Sequence, residues 1–127
     1  MLKMIYCLKR RPDIEIEEFY RYWLEDHGPL VRRHAEALKI KKYIQCHKII
    51  DTDETPLNKM IQDSRDSLDA YDGVAELWWD SMDEFMAANS TPDGIEAGQI
   101  LLEDEQNFID LSRSCIFFAE AYTIVED

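Results

Sequence analysis

Residues 25–38 read EDHGPLVRRHAEAL, and His27 is the side chain in that stretch best suited to chemistry. It follows Trp23 by four residues and Tyr20 by seven, so a helix would carry all three on one inward face. An imidazole titrates near neutral pH. Apolar burial favours its neutral form, which can accept a proton. Such a base suits enolisation, cyclisation or dehydration of a β-carbonyl aromatic precursor. The alternative is a helix-end imidazole that donates to free carbonyls or holds the His-Gly-Pro corner.

Other candidates surround it. His47 shares strand parity with Tyr43, so it is either a second polar anchor in a pocket or a structural histidine. His34 reads as a packing or surface residue. Tyr6, Tyr20, Tyr22, Trp23, Trp78 and Trp79 offer flat apolar area for a planar ligand, or ordinary core. Trp78 and Trp79 are adjacent in a strand and must point to opposite faces. One therefore lines a helix-side cavity, and the other packs in an interface. Glu76 and Glu120 are mid-strand carboxylates that must be paired or sit at an edge. Interface salt bridges are the plainer role for them, a paired acid–base site the other. The three histidines are dispersed, and no Cys-x-x-Cys or His-x-x-x-His spacing occurs, so no metal site is expected. No glycine-rich phosphate loop is present.

The elements that must hold these residues follow from pattern. Leu2 to Lys9 reads as a strand. Asp13 can cap a helix that begins near Ile16, where Phe19, Tyr20, Trp23, Leu24 and His27 continue the apolar stripe. Gly28 can take the left-handed conformation that stops this helix. Pro29 then opens a second, running to about Leu38. Residues 39–50 form a second strand. Residues 51–70 are an acidic, turn-rich insertion in which Leu57, Met60, Ile61, Ser64 and Leu68 have helical spacing. That insertion is either a lid or a surface elaboration. Residues 73–80 form a third strand. Ser81 with Glu84 makes a capping box. Thr91 and Pro92 start a helix with Ile95, Leu102 and Phe108 turned inward, weakened early by Gly94 and Gly98. Residues 114–127 hold the fourth strand. This order is the split βαβ, or ferredoxin-like, arrangement of an α+β domain: a four-stranded antiparallel sheet with helices on one face. The strands are apolar at both parities, as at Ile5, Trp78 and Phe117. The face without helices therefore needs a cover, most simply an identical subunit.

Composition narrows the function classes. A length of 127 residues suits one domain. The net charge of −13 repels phosphate backbones and anionic lipid, which argues against nucleic acid and membrane partners. The basic residues cluster between Lys9 and Lys48. No cleavable leader is evident, and no apolar run approaches the roughly 18 residues of a spanning helix. A cytoplasmic location is expected. Cys7, Cys46 and Cys115 read as small hydrophobes in a reducing compartment.

The opening MIYCLKRRPDIEIEEFYRYWLEDHGPLV resembles that of the EthD family, named for a protein linked to ethyl tert-butyl ether degradation. The features that carry it are the basic end of the first strand, Glu17 to Phe19, Tyr22-Trp23 and His27-Gly28-Pro29. Near the far end, EDEQNFIDLSRSCIFFAEAY resembles the family's acidic helix end, Phe-x-Asp turn and last strand. Residues 51–70 match nothing in the family. The resemblance implies a dimeric α+β barrel, a homodimer through sheet faces, with a pocket between sheet and helices in each subunit. Relatives in that superfamily include polyketide cyclases, cofactor-free monooxygenases, muconolactone isomerases and haem proteins. The implied function is a lyase, cyclase or isomerase that uses no cofactor and acts on a small aromatic or polyketide-like molecule. A noncatalytic binder serving an oxidative pathway and a cofactor-free monooxygenase are the alternatives. Residues expected in the site are His27 as base, with Tyr20, Trp23, His47, Trp78 and Trp79 around the ligand.

Overall fold

The computed structural model describes residues 1–127. Strand β1 (Leu2–Leu8) leads into helix α1 (Ile16–Tyr22), a π-helical turn (Trp23–His27) and α2 (Gly28–His34). Strand β2 (Lys42–His47) is followed by α3 (Leu57–Asp63) and β3 (Gly73–Trp79). Helices α4 (Met82–Ala88) and α5 (Pro92–Glu105), then a short 3-10 turn (Leu111–Arg113), precede β4 (Cys115–Glu120). The sheet order is β2-β3-β1-β4, and every neighbouring pair is antiparallel. This is the expected ferredoxin-like α+β fold. No helix is long and apolar enough to cross a membrane.

Register and alternation sort the side chains into two faces. Tyr6 pairs with Ala75 and Ile116, and Leu2 pairs with Trp79. These residues lie beneath the helices. There Leu8, Phe19, Trp23, Ala75, Phe108 and Ile109 form the main core, and Val31, Leu38, Ala97 and Leu101 form a second. The opposite face carries Ile5, Ile44, Val74, Trp78 and Phe117. The Lys3 ammonium there sits 2.5 Å from the Glu76 carboxylate and 4.7 Å above the Trp78 ring. No helix covers this second face, so it is an apolar surface with one ion pair at its centre.

Several local expectations need correction. Gly28 does not stop the helix: its φ is −55° and the chain runs straight on into α2. The Gly28 amide donates to the carbonyl of Trp23, five residues back, which widens the turn. Pro29 explains it. Its ring would strike the carbonyl four residues earlier in a regular helix, and it has no amide to donate, so one wide turn relieves both problems. The left-handed residue of this region is instead Lys39, at φ 57°. Past it the Ile40 amide closes onto the Ala35 carbonyl at 2.9 Å. Asp13 does not cap α1. It pairs with Arg11 at 2.7 Å, and Glu15 stands at the cap position without a side-chain bond.

The inward face of α5 is also different. Ile95 and Leu102 are exposed, whereas Gly94, Ala97 and Leu101 are buried. Small residues face inward here because the backbones approach closely: a Cβ on Gly94 would overlap the Ala88 carbonyl. The Ser81 and Thr91 caps form as read, accepting from the amides of Glu84 and Gly94 at 3.1 and 3.0 Å. Helix α3 of the insertion buries no residue. Its start is fixed by the Asp51 carboxylate, which accepts from the Asn58 and Lys59 amides.

Candidate functional site

The π turn and α5 bring together what the sequence keeps 77 residues apart. His27, the last residue of the π turn, is only 5% exposed. Its Nδ1 lies 2.7 Å from Oδ2 of Asp104, near the end of α5. The Tyr22 hydroxyl donates to the other oxygen, Oδ1, at 2.5 Å, and the Asn107 amide reaches that oxygen at 3.3 Å. Burial alone would push the Asp104 carboxyl up. The hydrogen bonds from Tyr22 and His27 outweigh it and hold the group below its usual range. Asp104 is therefore an ionised acceptor, so Nδ1 must carry the hydrogen. Burial pushes the His27 pKa down, against the pull of Asp104. The ring is then neutral at physiological pH with its lone pair on Nε2. That atom has no protein partner, yet no buried side-chain nitrogen or oxygen lacks one. Nε2 is thus not sealed from what enters beside it.

Beside it is a cavity of about 220 Å3 between sheet and helices, walled mostly by apolar side chains. Trp23, Leu77, Trp79, Phe85, Leu101 and Ile116 supply much of the wall. Polar groups reach it at few points: His27, Glu105, Tyr6, Tyr43 and Asn89. The Tyr6 hydroxyl donates to Glu105 Oε1 at 2.9 Å. Burial, opposed by that hydrogen bond and reinforced by the charge of Asp104, raises the Glu105 pKa to about 7. The Tyr43 hydroxyl accepts from Trp23 Nε1 at 3.2 Å and from Gln45 Nε2 at 2.9 Å. Both lone pairs are engaged, which leaves its own proton to give. Gly98 stands in the wall on α5, and a Cβ built there would meet nothing within 4 Å.

Of the six residues the sequence singled out, Trp23, His27 and Trp79 line the cavity. Trp79 is anchored by an indole bond to the Leu38 carbonyl at 2.8 Å. Tyr20 and His47 are not on its wall. His47 stacks on both Trp23 and Tyr20, its ring 4.5 Å from the first and 5.0 Å from the second. It bonds Gln45 through Nε2 at 2.8 Å, and burial lowers its pKa. These two residues therefore back the pocket rather than face it. Gly73 completes that support: a Cβ there would run into the Trp23 ring and come within 2.9 Å of the Cys46 carbonyl oxygen. Trp78 points to the open sheet face, where Lys3 and Lys42 lie over its ring. Residues 51–70 contribute nothing to the cavity wall. No group of three or more His, Cys, Asp or Glu side chains is placed to hold a metal ion.

Sequence reasoning missed Asp104, Glu105 and Tyr43, and it read Tyr6 as aromatic area, not as the donor to Glu105. A signal for the first two existed. Leu101, Asp104, Glu105 and Phe108 stand at the i, i+3, i+4, i+7 spacing of a buried face. Two acids on such a face demand partners.

The EthD domain family matches residues 11–112 of the chain. No curated protein sequence matches it closely enough to count as a relative. An EthD family protein of Bacillus halodurans superposes with a TM-score of 0.60 at 16% identity, over 96% of this chain and 99% of that one. A dimeric ferredoxin-like protein of unknown function from Thermobifida fusca gives 0.56 at 12% identity, over 94% and 90%. A mutant of SnoaB, a cofactor-independent oxygenase of Streptomyces nogalater, gives 0.52 at 13%, over 98% and 97%. At these identities the likeness is one of fold.

Proposed function

This chain belongs to the EthD family, and we propose that it is a proton-abstracting lyase, cyclase or isomerase acting on a small aromatic or polyketide-like molecule. The observation that carries this reading is His27, on the wall of an apolar cavity and held from behind by Asp104. Asp104 holds the tautomer with Nε2 bare. The neutral imidazole takes a proton from a carbon next to a carbonyl. The charge that forms on the ring is balanced by the carboxylate 2.7 Å away. Trp23 and Trp79 hold the flat body of the ligand. Ring closure, loss of water or a double-bond shift would follow from the same enolate, according to the substrate. None of these steps asks more of the chain than its own residues.

The test is deuterium exchange into the methyl group of methyl naphthyl ketone in heavy water, followed by NMR. Wild type should exchange it, and His27→Ala should slow the exchange by about 10²–10⁴-fold. Equal exchange in both would remove His27 as the base. The fold shared with a cofactor-independent oxygenase supports a second reading, in which the same carbanion meets O2. Oxygen uptake dependent on the probe separates the two.

The apolar open face supports a homodimer through sheet faces. Ile5, Trp78 and Phe117 would form its centre, with the Lys3–Glu76 pair neutralised within each subunit. Phe117 is 47% exposed in the single chain, as expected of a residue whose cover is a second copy.

A further inference from the structure

The cavity holds a second proton group that the base does not use. Glu105 lies on the last turn of α5, one residue beyond Asp104, and so projects to a different side of the helix. Asp104 turns to His27, while Glu105 turns into the cavity and meets the Tyr6 hydroxyl. Only one of its oxygens is bonded, and no buried side-chain oxygen lacks a partner. The second oxygen therefore opens on the cavity. Resting on the reading of this cavity as a ligand site, we propose that Glu105 is a catalytic acid that holds the ligand's carbonyl oxygen with its carboxyl proton, and that the site selects uncharged enolisable ketones over carboxylates.

Charge around the group supports this. The cavity wall contains no lysine or arginine. From β1 Glu105 meets the Tyr6 phenol, and the other polar groups of the same wall are the Tyr43 phenol of β2, the neutral His27 of the π turn and the Asn89 amide. On its own helix it has ionised Asp104 beside it. The β3 residues that line the wall, Ala75, Leu77 and Trp79, bear no charge. No cation compensates a Glu105 carboxylate, and none would compensate a ligand carboxylate. Tyr43 stands close enough for the Glu105 charge to raise its phenol. Its unspent proton makes it a second donor toward the same carbonyl oxygen. The step balances. His27 Nε2 takes the α-proton, the C–H electron pair moves into the carbon–carbon bond, and the carbonyl π pair takes the Glu105 proton. The products are an enol, an imidazolium and a carboxylate. Return of a proton from His27 to carbon at another position, and of the hydroxyl proton to Glu105, completes an isomerisation.

The experiment is calorimetric titration of the wild-type protein with methyl naphthyl ketone, and separately with naphthoate, between about pH 6.5 and pH 8.5. If only the protonated carboxyl binds, a Glu105 pKa of about 7 makes ketone affinity fall by about twentyfold over that range. Glu105→Gln, which keeps a donor without a titration, should bind the ketone with no such fall. Naphthoate should bind at least about tenfold more weakly than the ketone at pH 6.5, for want of a cation. A flat ketone profile, absent ketone binding or equal naphthoate affinity overturns the proposal. Should Glu105→Gln fail to fold, the wild-type infrared band of a protonated carboxyl serves instead. It should be present at pH 6.5, shift on adding ketone and vanish by pH 8.5; its absence at pH 6.5 counts against Glu105. A pH-dependent binder that exchanges normally in His27→Ala would sink the base and spare Glu105. The converse pattern would sink Glu105 and spare the base.

Discussion

Asp104 and Glu105 are neighbours in sequence whose proton affinities shift in opposite directions, and the reason is what each touches. Asp104 receives hydrogen bonds from Tyr22 and His27 and stays ionised. Glu105 receives one from Tyr6 inside an apolar cavity and is held near neutrality. The consequences for stability have opposite signs. Glu105 binds its proton more tightly in the folded chain, so stability falls as pH rises from about 4.5 to about 7 and stays reduced above. Denaturant unfolding should show Glu105→Gln gaining up to about 3 kcal/mol over wild type at pH 8 and almost nothing at pH 4. His27 binds its proton less tightly when folded. Its neutral form favours the native state above about pH 6.5, and that advantage drains away as pH drops toward its lowered pKa. Asp104→Asn would leave His27 free to adopt the wrong tautomer. Ketone exchange should drop at least about tenfold, while ketone affinity measured at about pH 5, where Glu105 keeps its proton without the charge of Asp104, should hold.

At the scale of elements, two glycines of α5 make opposite predictions from the same residue type. Gly94 sits against the Ala88 backbone, where a Cβ has no room. Gly98 faces open cavity. Gly98→Ala should raise stability by about 1 kcal/mol through helix propensity, and Gly94→Ala should lower it by about 2 kcal/mol through overpacking. Thermal unfolding of the two variants reads both. Gly98→Leu should keep the fold and exclude the ketone, since its side chain occupies the ligand's volume. The π turn belongs at this scale too. By widening one turn it lets α1 run into α2 without a break, and it ends on the residue that meets Asp104. Gly28 serves it by closeness: a Cβ would stand 3.3 Å from Gln45 Nε2, whose bond to the Trp23 carbonyl, 2.8 Å long, secures the turn from β2.

Across the whole molecule, the sheet separates two tasks. One face builds the cavity with the helices, and the other is an apolar surface that the proposed second copy would cover. Trp78 and Trp79 mark the division, because adjacent strand residues must diverge. Trp78→Glu places a charge at the centre of the open face without touching the cavity. Sedimentation should show it as a monomer where wild type sediments as a dimer, with unchanged circular dichroism. A monomeric wild type would refute the sheet-face contact. Residues 51–70 lie outside both tasks in the single chain, since helix α3 buries no side chain and none of the segment touches the cavity.

Much was legible in the linear chain. Periodicity placed the strands and most helices, local chemistry placed the Ser81 and Thr91 caps, and strands apolar at both parities foretold an apolar second sheet face. His27 stood out because its phase with Tyr20 and Trp23 is a local property. What could not be read was anything decided between distant segments. Where Trp78 and Trp79 point depends on which side the helices take. His47 became a stacking layer because Tyr20 and Trp23 close over it. The partner of His27 lies 77 residues away, and the second carboxyl, which lines the same cavity, is one member of an acidic run. Alternation and helical spacing act within a few residues and are written in the chain. Hydrogen bonds, burial and the proton affinities they set arise only when the folded chain brings its far parts into contact.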